Sequence, residues 1–321
     1  ATTLADYRDR YALHKSDPAL QAAHAACPWA VTWDDHEVQN DYAGGTNAQA
    51  DAAAFLTQRA AAWQAFYENM PLRATALAGA QFDRLQVYRR LPWGRLAQLH
   101  LLDDRQYRAL QACRKPGATN AGSVRPADCA ELADPARSLL GPAQEQWLDA
   151  GLAADAKNDH TRWSVLAQQT LFSPRRYPSG QVATDGWDGY PAARERLLQS
   201  VQRHSPRNTV LLGGDIHQNY VCNVHAPGAD GDRPVLASEF CGTSISSRAG
   251  TTQDKVDAIA RHNPHVLLAR CEERGYGLAD ITPEQWTTTL RAVDNPLDPH
   301  SSAHTLARFV VQDRKPGPVR A

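Results

Sequence analysis

The sequence predicts an α/β fold, sheets sandwiched between helices, and three observations predict it. Short apolar runs of strand length intermix with helical patterns along the whole chain, so neither an all-α nor an all-β architecture fits. Three of these runs stop on acidic residues. Trp29-Ala-Val-Thr-Trp33 ends in Asp34-Asp35-His36-Glu37, residues 96–102 end in Asp103-Asp104-Arg105, and Val210-Leu-Leu212 ends in Gly213-Gly214-Asp215-Ile216-His217. In open α/β sheets, ligands gather outside the carboxyl ends of the strands. Strand-terminal acids and imidazoles therefore read as one site assembled from distant parts of the chain, and that donor set is metal-binding chemistry.

The elements follow in order. Residues 3–24 carry helical spacing (Leu4, Tyr7, Tyr11), 29–33 read as a strand, and 41–48 as a glycine-containing loop. Residues 50–70 predict a helix with Leu56, Ala60, Trp63 and Tyr67 on one stripe, stopped by Pro71. Residues 82–91 and 96–102 predict a hairpin around Pro92-Trp93-Gly94. A loop over 115–128 leads to Gly141-Pro142, which opens a helix through residue 154. A strand over 161–172 precedes a turn-rich loop, 174–189, that closes in Asp185-Gly-Trp-Asp-Gly-Tyr190. Residues 192–204 predict a helix with Leu197, Leu198 and Val201 inside, followed by strands over 209–212, 220–224 and 235–240. In the tail, strands over 275–281 and 309–311 flank a short helix over 283–293.

A chain of 321 residues is long enough for a sizeable core, either as one large α/β domain or as two smaller ones. Its 34 Lys+Arg against 35 Asp+Glu give no basic field for nucleic acid and no polybasic segment for an anionic membrane. No apolar stretch reaches the roughly 20 residues of a transmembrane helix. The chain starts at Ala1 without a charged-then-apolar leader, and is expected to be processed or truncated. Six cysteines include no C-x-x-C pair, which disfavours a zinc knuckle. Cys113 and Cys129 flank a Gly/Pro/Asn/Ser-rich loop that a disulfide would constrain, which would imply an oxidising compartment. Cys222 and Cys241 lie in strand-like runs, as a second bridge or as buried thiols.

Asp215 and His217 are two apart, so in an extended segment both side chains point to one side and can reach one ion. Gly213-Gly214 before them admits close backbone approach. Asp34 to Glu37, with Asn40 beyond, is denser. Helix-terminal capping accounts for one or two of its acids, but not for a histidine flanked by them. A carboxylate here can bridge two ions while His36 protonates a leaving oxygen. Asp103 and Arg105 sit at another strand end, where a guanidinium can bind phosphate, the alternative being a local ion pair on a turn. Asp188 is a turn aspartate or a loop residue of the site. His24, His160, His204, His262 and His304 lack an acidic strand-end context and read as surface or structural. No nucleophile elbow, Walker loop, His-Glu-x-x-His or Gly-x-Gly-x-x-Gly appears, which sets aside serine hydrolases, P-loop NTPases, zincins and Rossmann enzymes.

These motifs resemble those of the PhoD-like alkaline phosphatases, within the calcineurin-like metallophosphoesterases. The resemblance is carried in family order by Trp33-Asp-Asp-His-Glu-Val38 with Asn40, and by Leu102-Asp-Asp-Arg-Gln-Tyr-Arg108. It continues through Trp163-Ser-Val-Leu-Ala-Gln-Gln169, Asp185 to Tyr190 with Arg194, Gly213 to His217, Glu239-Phe-Cys-Gly-Thr-Ser244, and Asn263-Pro264 with Gly275-Tyr276. It implies a four-layer α/β/β/α sandwich and hydrolysis of phosphate mono- and diesters at alkaline pH in a periplasmic or extracellular setting. It implies calcium together with iron, Asp35 in the bridging position, His36 as the catalytic histidine, and Asp215 and His217 in the last metal-binding motif. On this reading Asp35, Asn40, Asp215 and His217 hold metal, Arg105 holds a phosphoryl oxygen, and Asp103 and Asp188 bind substrate. Residues 1–321 are then one metallophosphatase domain, expected to lack the family's first strands, their metal ligands, the export signal and an amino-terminal β domain. Two alternatives stay open: a metal-stabilised, catalytically incomplete module, and a hydrolase of another ester, such as a phospholipid.

Overall fold

The structure, a computed structural model, describes residues 1–46, 52–77, 81–115, 122–157, 161–228 and 233–321. His160, the ends of the loops expected over 41–48 and 115–128, and the first two positions of the helix expected from residue 50 include positions outside the described residues.

Three helices gather at the amino-terminal side. Thr3 and Asp6 form a capping box at the start of α1 (Leu4–Lys15), and Asp17 caps α2 (Pro18–Ala26) through Ala19 and Leu20. The single helix expected over 3–24 is therefore two: Asp17 takes up the donors of a new first turn, and Pro18 lacks the N–H needed to continue the old one. Helix α3 (Ala52–Asn69) buries Phe55, Ala62, Trp63, Ala65 and Phe66, while Leu56 is 41% exposed. The expected stripe was thus rotated. Trp63 stacks on Trp33 with ring centroids 4.9 Å apart, and this long-range partner decides which face turns inward. Residues 29–33, expected as a strand, run outside both large sheets. Side chains take up their carbonyls in place of a ladder: Arg89 bonds the Val31 oxygen (2.9 Å) and Gln169 the Trp33 oxygen (2.9 Å).

Nine further segments follow: β1 (Arg89–Trp93), β2 (Ala97–Leu101), β3 (Ser123–Val124), α4 (Gly141–Lys157), β4 (Trp163–Ala167), β5 (Val182–Ala183), α5 (Pro191–His204), β6 (Thr209–Gly213) and β7 (Asn219–His225). Then come β8 (Val235–Cys241), α6 (Gln253–His262), β9 (Val266–Arg270), β10 (Arg274–Ile281), β11 (Gln285–Val293), β12 (Ala303–Gln312) and β13 (Lys315–Arg320). The hairpin around Pro92 forms as expected, but shorter, since residues 82–84 make a 3-10 turn. Pro92 lies on an edge strand, where a missing N–H breaks no interior ladder. The strand expected to reach residue 172 stops at Ala167, because buried Glu239 accepts the N–H groups of Phe172 (2.6 Å) and Ser173 (2.8 Å) and draws the chain away.

A seven-stranded sheet has the order β1-β2-β4-β6-β8-β7-β9, with β2, β4, β6 and β8 mutually parallel. Helices α4 and α5 cover one face through Leu148, Leu152, Leu197 and Val201 against Leu166, Leu211 and Ala237. The other face presents Ala97, Trp163, Val165, Val210 and Phe240 to a second, antiparallel sheet, β10-β11-β12-β13, which answers with Trp286, Leu290, Phe309 and Val311. Each such fully buried side chain contributes roughly 1.5–3 kcal/mol relative to exposure. The expected stacking of two sheets is what the core shows, with helices over the outer face of the larger one. The outward side chains Tyr276, Leu278 and Val319 of the second sheet are 49%, 48% and 67% exposed. The helix expected over 283–293 is strand β11. Its Trp-Thr-Thr-Thr run favours extended backbone, and alternation sends Trp286, Thr288, Leu290 and Ala292 inward between two ladder partners.

Cys113 and Cys129 are joined by a disulfide. Cys222 and Cys241 are buried thiols on paired strands, out of register: Cys222 faces Glu239 and Cys241 faces Tyr220.

Candidate active site

Because β2, β4 and β6 are adjacent and parallel, their carboxyl ends lie along one edge. From β2 the chain enters Asp103-Asp104-Arg105, from β4 it enters Gln168-Gln169, and from β6 it enters Gly214-Asp215. Gln169 acts as the peg. Its Nε2 donates to the carbonyls of Trp33 (2.9 Å) and Leu102 (3.1 Å), while its Oε1 accepts from Asp104 N–H (3.2 Å), which sets residues 33–34 against the end of β2. At Gly213 a Cβ would stand 2.2 Å from the Thr170 carbonyl oxygen, so the close approach expected of this glycine is real.

At the centre is Arg105, whose side chain is completely buried. Its Nε donates to Asp34 (2.5 Å), one Nη to Asp185 (2.8 Å) and the other to Asp215 (2.9 Å), with Asp35 at 4.0 Å. Arg108 pairs with Asp185 at 2.8 Å. Oxygens of Asp34, Asp35 and Asp215 come within 4.8 Å of one another. Four carboxylates thus face two guanidinium groups, and the formal deficit is one divalent cation. The all-oxygen donor set fits a hard ion. Burial, reinforced by the neighbouring carboxylates and opposed by Arg105, pushes the Asp215 carboxyl well above its ordinary range. Burial also raises Asp34, whereas Arg105 and Arg108 outweigh burial at Asp185 and hold it far down. Burial pushes Asp103 up to about 6 and Asp104 to about 7, and neither carboxylate oxygen of Asp104 has a hydrogen-bond partner among the described residues.

The expected site residues are only partly brought together. Asp35 and Asp215 are in the cluster, and Asp35 is fixed by the N–H groups of His36 (2.9 Å) and Asp41 (2.7 Å). His36 stands on the rim with its side chain 74% exposed and Nε2 4.0 Å from Asp35. Asn40 is exposed on the turn beyond. Asp215 (φ 66°) and His217 (φ 56°) are both left-handed, so the extended i, i+2 geometry does not hold. His217 turns Nδ1 to the Arg248 carbonyl (2.8 Å) and also lies outside the group of three.

Three of the expected residues are engaged by other parts of the chain. Three carboxylates hold the Arg105 guanidinium at hydrogen-bond distance, as their buried counter-ion. Asp103 is wholly buried and closes its own turn, accepting from the N–H groups of Arg105 (3.1 Å) and Gln106 (2.9 Å). Asp188 braces a loop, accepting from Arg175 N–H (2.8 Å) and Arg194 (2.5 Å). Sequence reasoning passed over Asp34 as the cluster's third acid, and Asp185, Arg108 and Gln169 altogether. Asp185 stood in the same Asp-Gly-Trp-Asp-Gly-Tyr run as Asp188, and nothing local separates the two.

Comparison with known proteins bears on this site. Residues 1–290 match the PhoD-like phosphatase family. Alkaline phosphatase D of Bacillus subtilis (strain 168) is 40% identical over 322 aligned residues, covering 98% of this chain and 52% of that protein. A solved structure described as PhoD superposes with a TM-score of 0.89 at 39% identity, covering all of this chain and 60% of that one. A purple acid phosphatase from yellow lupin seeds gives a TM-score of 0.46 at 11% identity over 87% of this chain and 39% of its own, a likeness too loose to argue from. The chain spans about half the length of the curated relative it matches.

Proposed function

The chain belongs to the PhoD-like phosphatase family, and from that premise we propose that its protein hydrolyses phosphate mono- and diesters at alkaline pH, with Asp34, Asp35 and Asp215 as metal ligands. One observation carries the proposal: the adjacent carboxylates of Asp34 and Asp35 and the distant one of Asp215 converge on one spot with too little positive charge to balance them. A divalent cation there supplies charge neutralisation for a phosphate and lowers the cost of making hydroxide from water.

The chain's own groups do the rest. Arg105 and Arg108 hold the acids in place, so the cation site exists before any ion enters. His36, exposed beside Asp35, donates a proton from its ring to the departing alkoxide. Asn40 and His217, on turns next to the carboxylates, complete the ligand set. For this oxygen-rich group we propose calcium. Iron, which the family resemblance also implies, would have the His217 imidazole as its nitrogen donor beside these carboxylates. The Cys113–Cys129 disulfide supports an exported protein, and among the described residues no helix is long and apolar enough to cross a membrane. Residues 1–321 are taken as a single metallophosphatase domain.

A second reading, a metal-stabilised module without turnover, is favoured by the all-carboxylate make-up of the group found among the described residues. Hydrolysis of bis(p-nitrophenyl) phosphate by the whole protein, with and without chelator, decides between them. We expect chelator-sensitive turnover, a lower metal content by elemental analysis in Asp215→Asn, and at least a ~100-fold loss of kcat in His36→Ala at unchanged metal content. Turnover indifferent to chelator, or none with metal bound, rejects the phosphoesterase reading.

A further inference from the structure

His36 is a wall of a second feature. A cavity of about 520 Å³ lies against it, formed with α1, α2 and the segment that follows them, and lined by Arg10, His14, Lys15, His24 and Trp29. Its volume is in the range of small-molecule sites. Two of its walls are built and held. Trp29 stacks on His24 with ring centroids 4.1 Å apart and planes 14° from parallel, and its indole N–H is anchored on the Ala23 carbonyl (3.1 Å). Lys15 Nζ reaches His24 Nε2 at 2.8 Å, and Gln21 holds the Lys15 carbonyl at 2.7 Å. Trp29 nevertheless keeps 38% of its surface exposed. Against this basic and aromatic lining stands one carboxylate, Glu37, which is turned to the Asp34 N–H at 2.7 Å.

We propose that this cavity is the leaving-group subsite, and that it takes phosphate esters whose alcohol carries an aromatic ring and a second negative charge. The inference rests on the reading that His36 protonates the leaving oxygen. An alkoxide departing toward His36 has its substituents in the cavity of which His36 is a wall. There the ring lies along the Trp29 side, and the anionic substituent pairs with Lys15 and its basic neighbours. The acid cluster, whose Asp35 lies 4.0 Å from His36 Nε2 and whose members do not line the cavity, would repel the same substituent with its carboxylate excess, so the two regions enforce one substrate orientation.

The test compares 4-carboxyphenyl phosphate with phenyl phosphate, using the whole protein loaded with calcium. The wild type is expected to favour the carboxylated ester about threefold in kcat/KM, and Lys15→Met to bring that ratio near one. Trp29→Ala is expected to raise KM for both esters by a similar factor. Calorimetric binding of the product alcohol, 4-hydroxybenzoate, supplies a readout independent of turnover, and Lys15→Met is expected to weaken it about threefold. Equal use of both esters by the wild type, or 4-hydroxybenzoate binding that ignores Lys15 and Trp29, overturns the assignment. If neither ester is hydrolysed while 4-hydroxybenzoate still binds through Lys15 and Trp29, the phosphoesterase reading fails, and the cavity stands as a site for anionic aromatic ligands.

Discussion

Replacing Arg105 with methionine removes the one positive charge that Asp34, Asp185 and Asp215 share, while keeping a side chain of similar length. At an effective dielectric near 20, a single contact of this kind contributes on the order of 4 kcal/mol before the guanidinium's own desolvation is subtracted. Asp185 keeps Arg108 as a partner at 2.8 Å, but Asp34 and Asp215 lose their bonds of 2.5 and 2.9 Å. Breaking a buried pair by deleting one partner costs about 3–5 kcal/mol, because the remaining charge stays in the interior. Urea unfolding of Arg105→Met in chelator at pH 8 should therefore show a loss of that size, equivalent to a fall in Tm of roughly 4–7 °C for a chain of this length. Calcium at 100 times its Kd should restore about 2.7 kcal/mol by binding only the folded state. At pH 5 the loss should shrink as the crowded carboxyls take up protons. A loss below about 1 kcal/mol in chelator, or one that calcium leaves untouched, refutes the idea that Arg105 substitutes internally for part of a cation's charge.

Two further perturbations isolate other parts of the structure. Asp104 is buried, its oxygens lack hydrogen-bond partners among the described residues, and its carboxyl is raised to about 7. A raised carboxyl binds its proton more tightly folded than unfolded. Its contribution is therefore complete below the ordinary pKa near 3.8 and is lost as pH rises through about 7. Asp104→Asn should be more stable than wild type at pH 8 by on the order of 1–3 kcal/mol, and the gain should vanish by pH 4; equal effects at both pH values in urea titrations reject the assignment. Reducing the Cys113–Cys129 bridge, which spans a sequence separation of 16, should cost about 3 kcal/mol, read as a lower Tm in reductant that Cys113→Ser reproduces.

What could be read locally was read well where local chemistry was decisive. The hairpin around Pro92, the helices opening at Gly141-Pro142 and near Pro191, and the parallel strands at 163–167 and 209–213 all carry their own signals of turn residue, cap or apolar run. Failures came where a distant partner outvoted the local pattern. Residues 283–293 were expected as a helix, and the ladders with β10 and β12 hold 285–293 as a strand. On α3, the expected stripe through Leu56 and Ala60 gave way to a face through Phe55, Ala62 and Phe66, with Trp63 on the ring of Trp33.

The site divides along the same line. Sequence alone determined that acids end three apolar runs, that Gly213 permits a close backbone approach, and that Asp35 and Asp215 belong to one centre. It could not determine what Arg105 does, because its partners lie 71, 80 and 110 residues away. Nor could it separate Asp185 from Asp188, since both are turn aspartates until the fold buries one beside two guanidinium groups and leaves the other to brace a loop. Helix caps, turns and side-chain alternation act over a few residues and are written in neighbouring letters. Coulomb attraction and burial depend on distances in space, and only the packed sheet, by aligning the ends of β2, β4 and β6, created those distances.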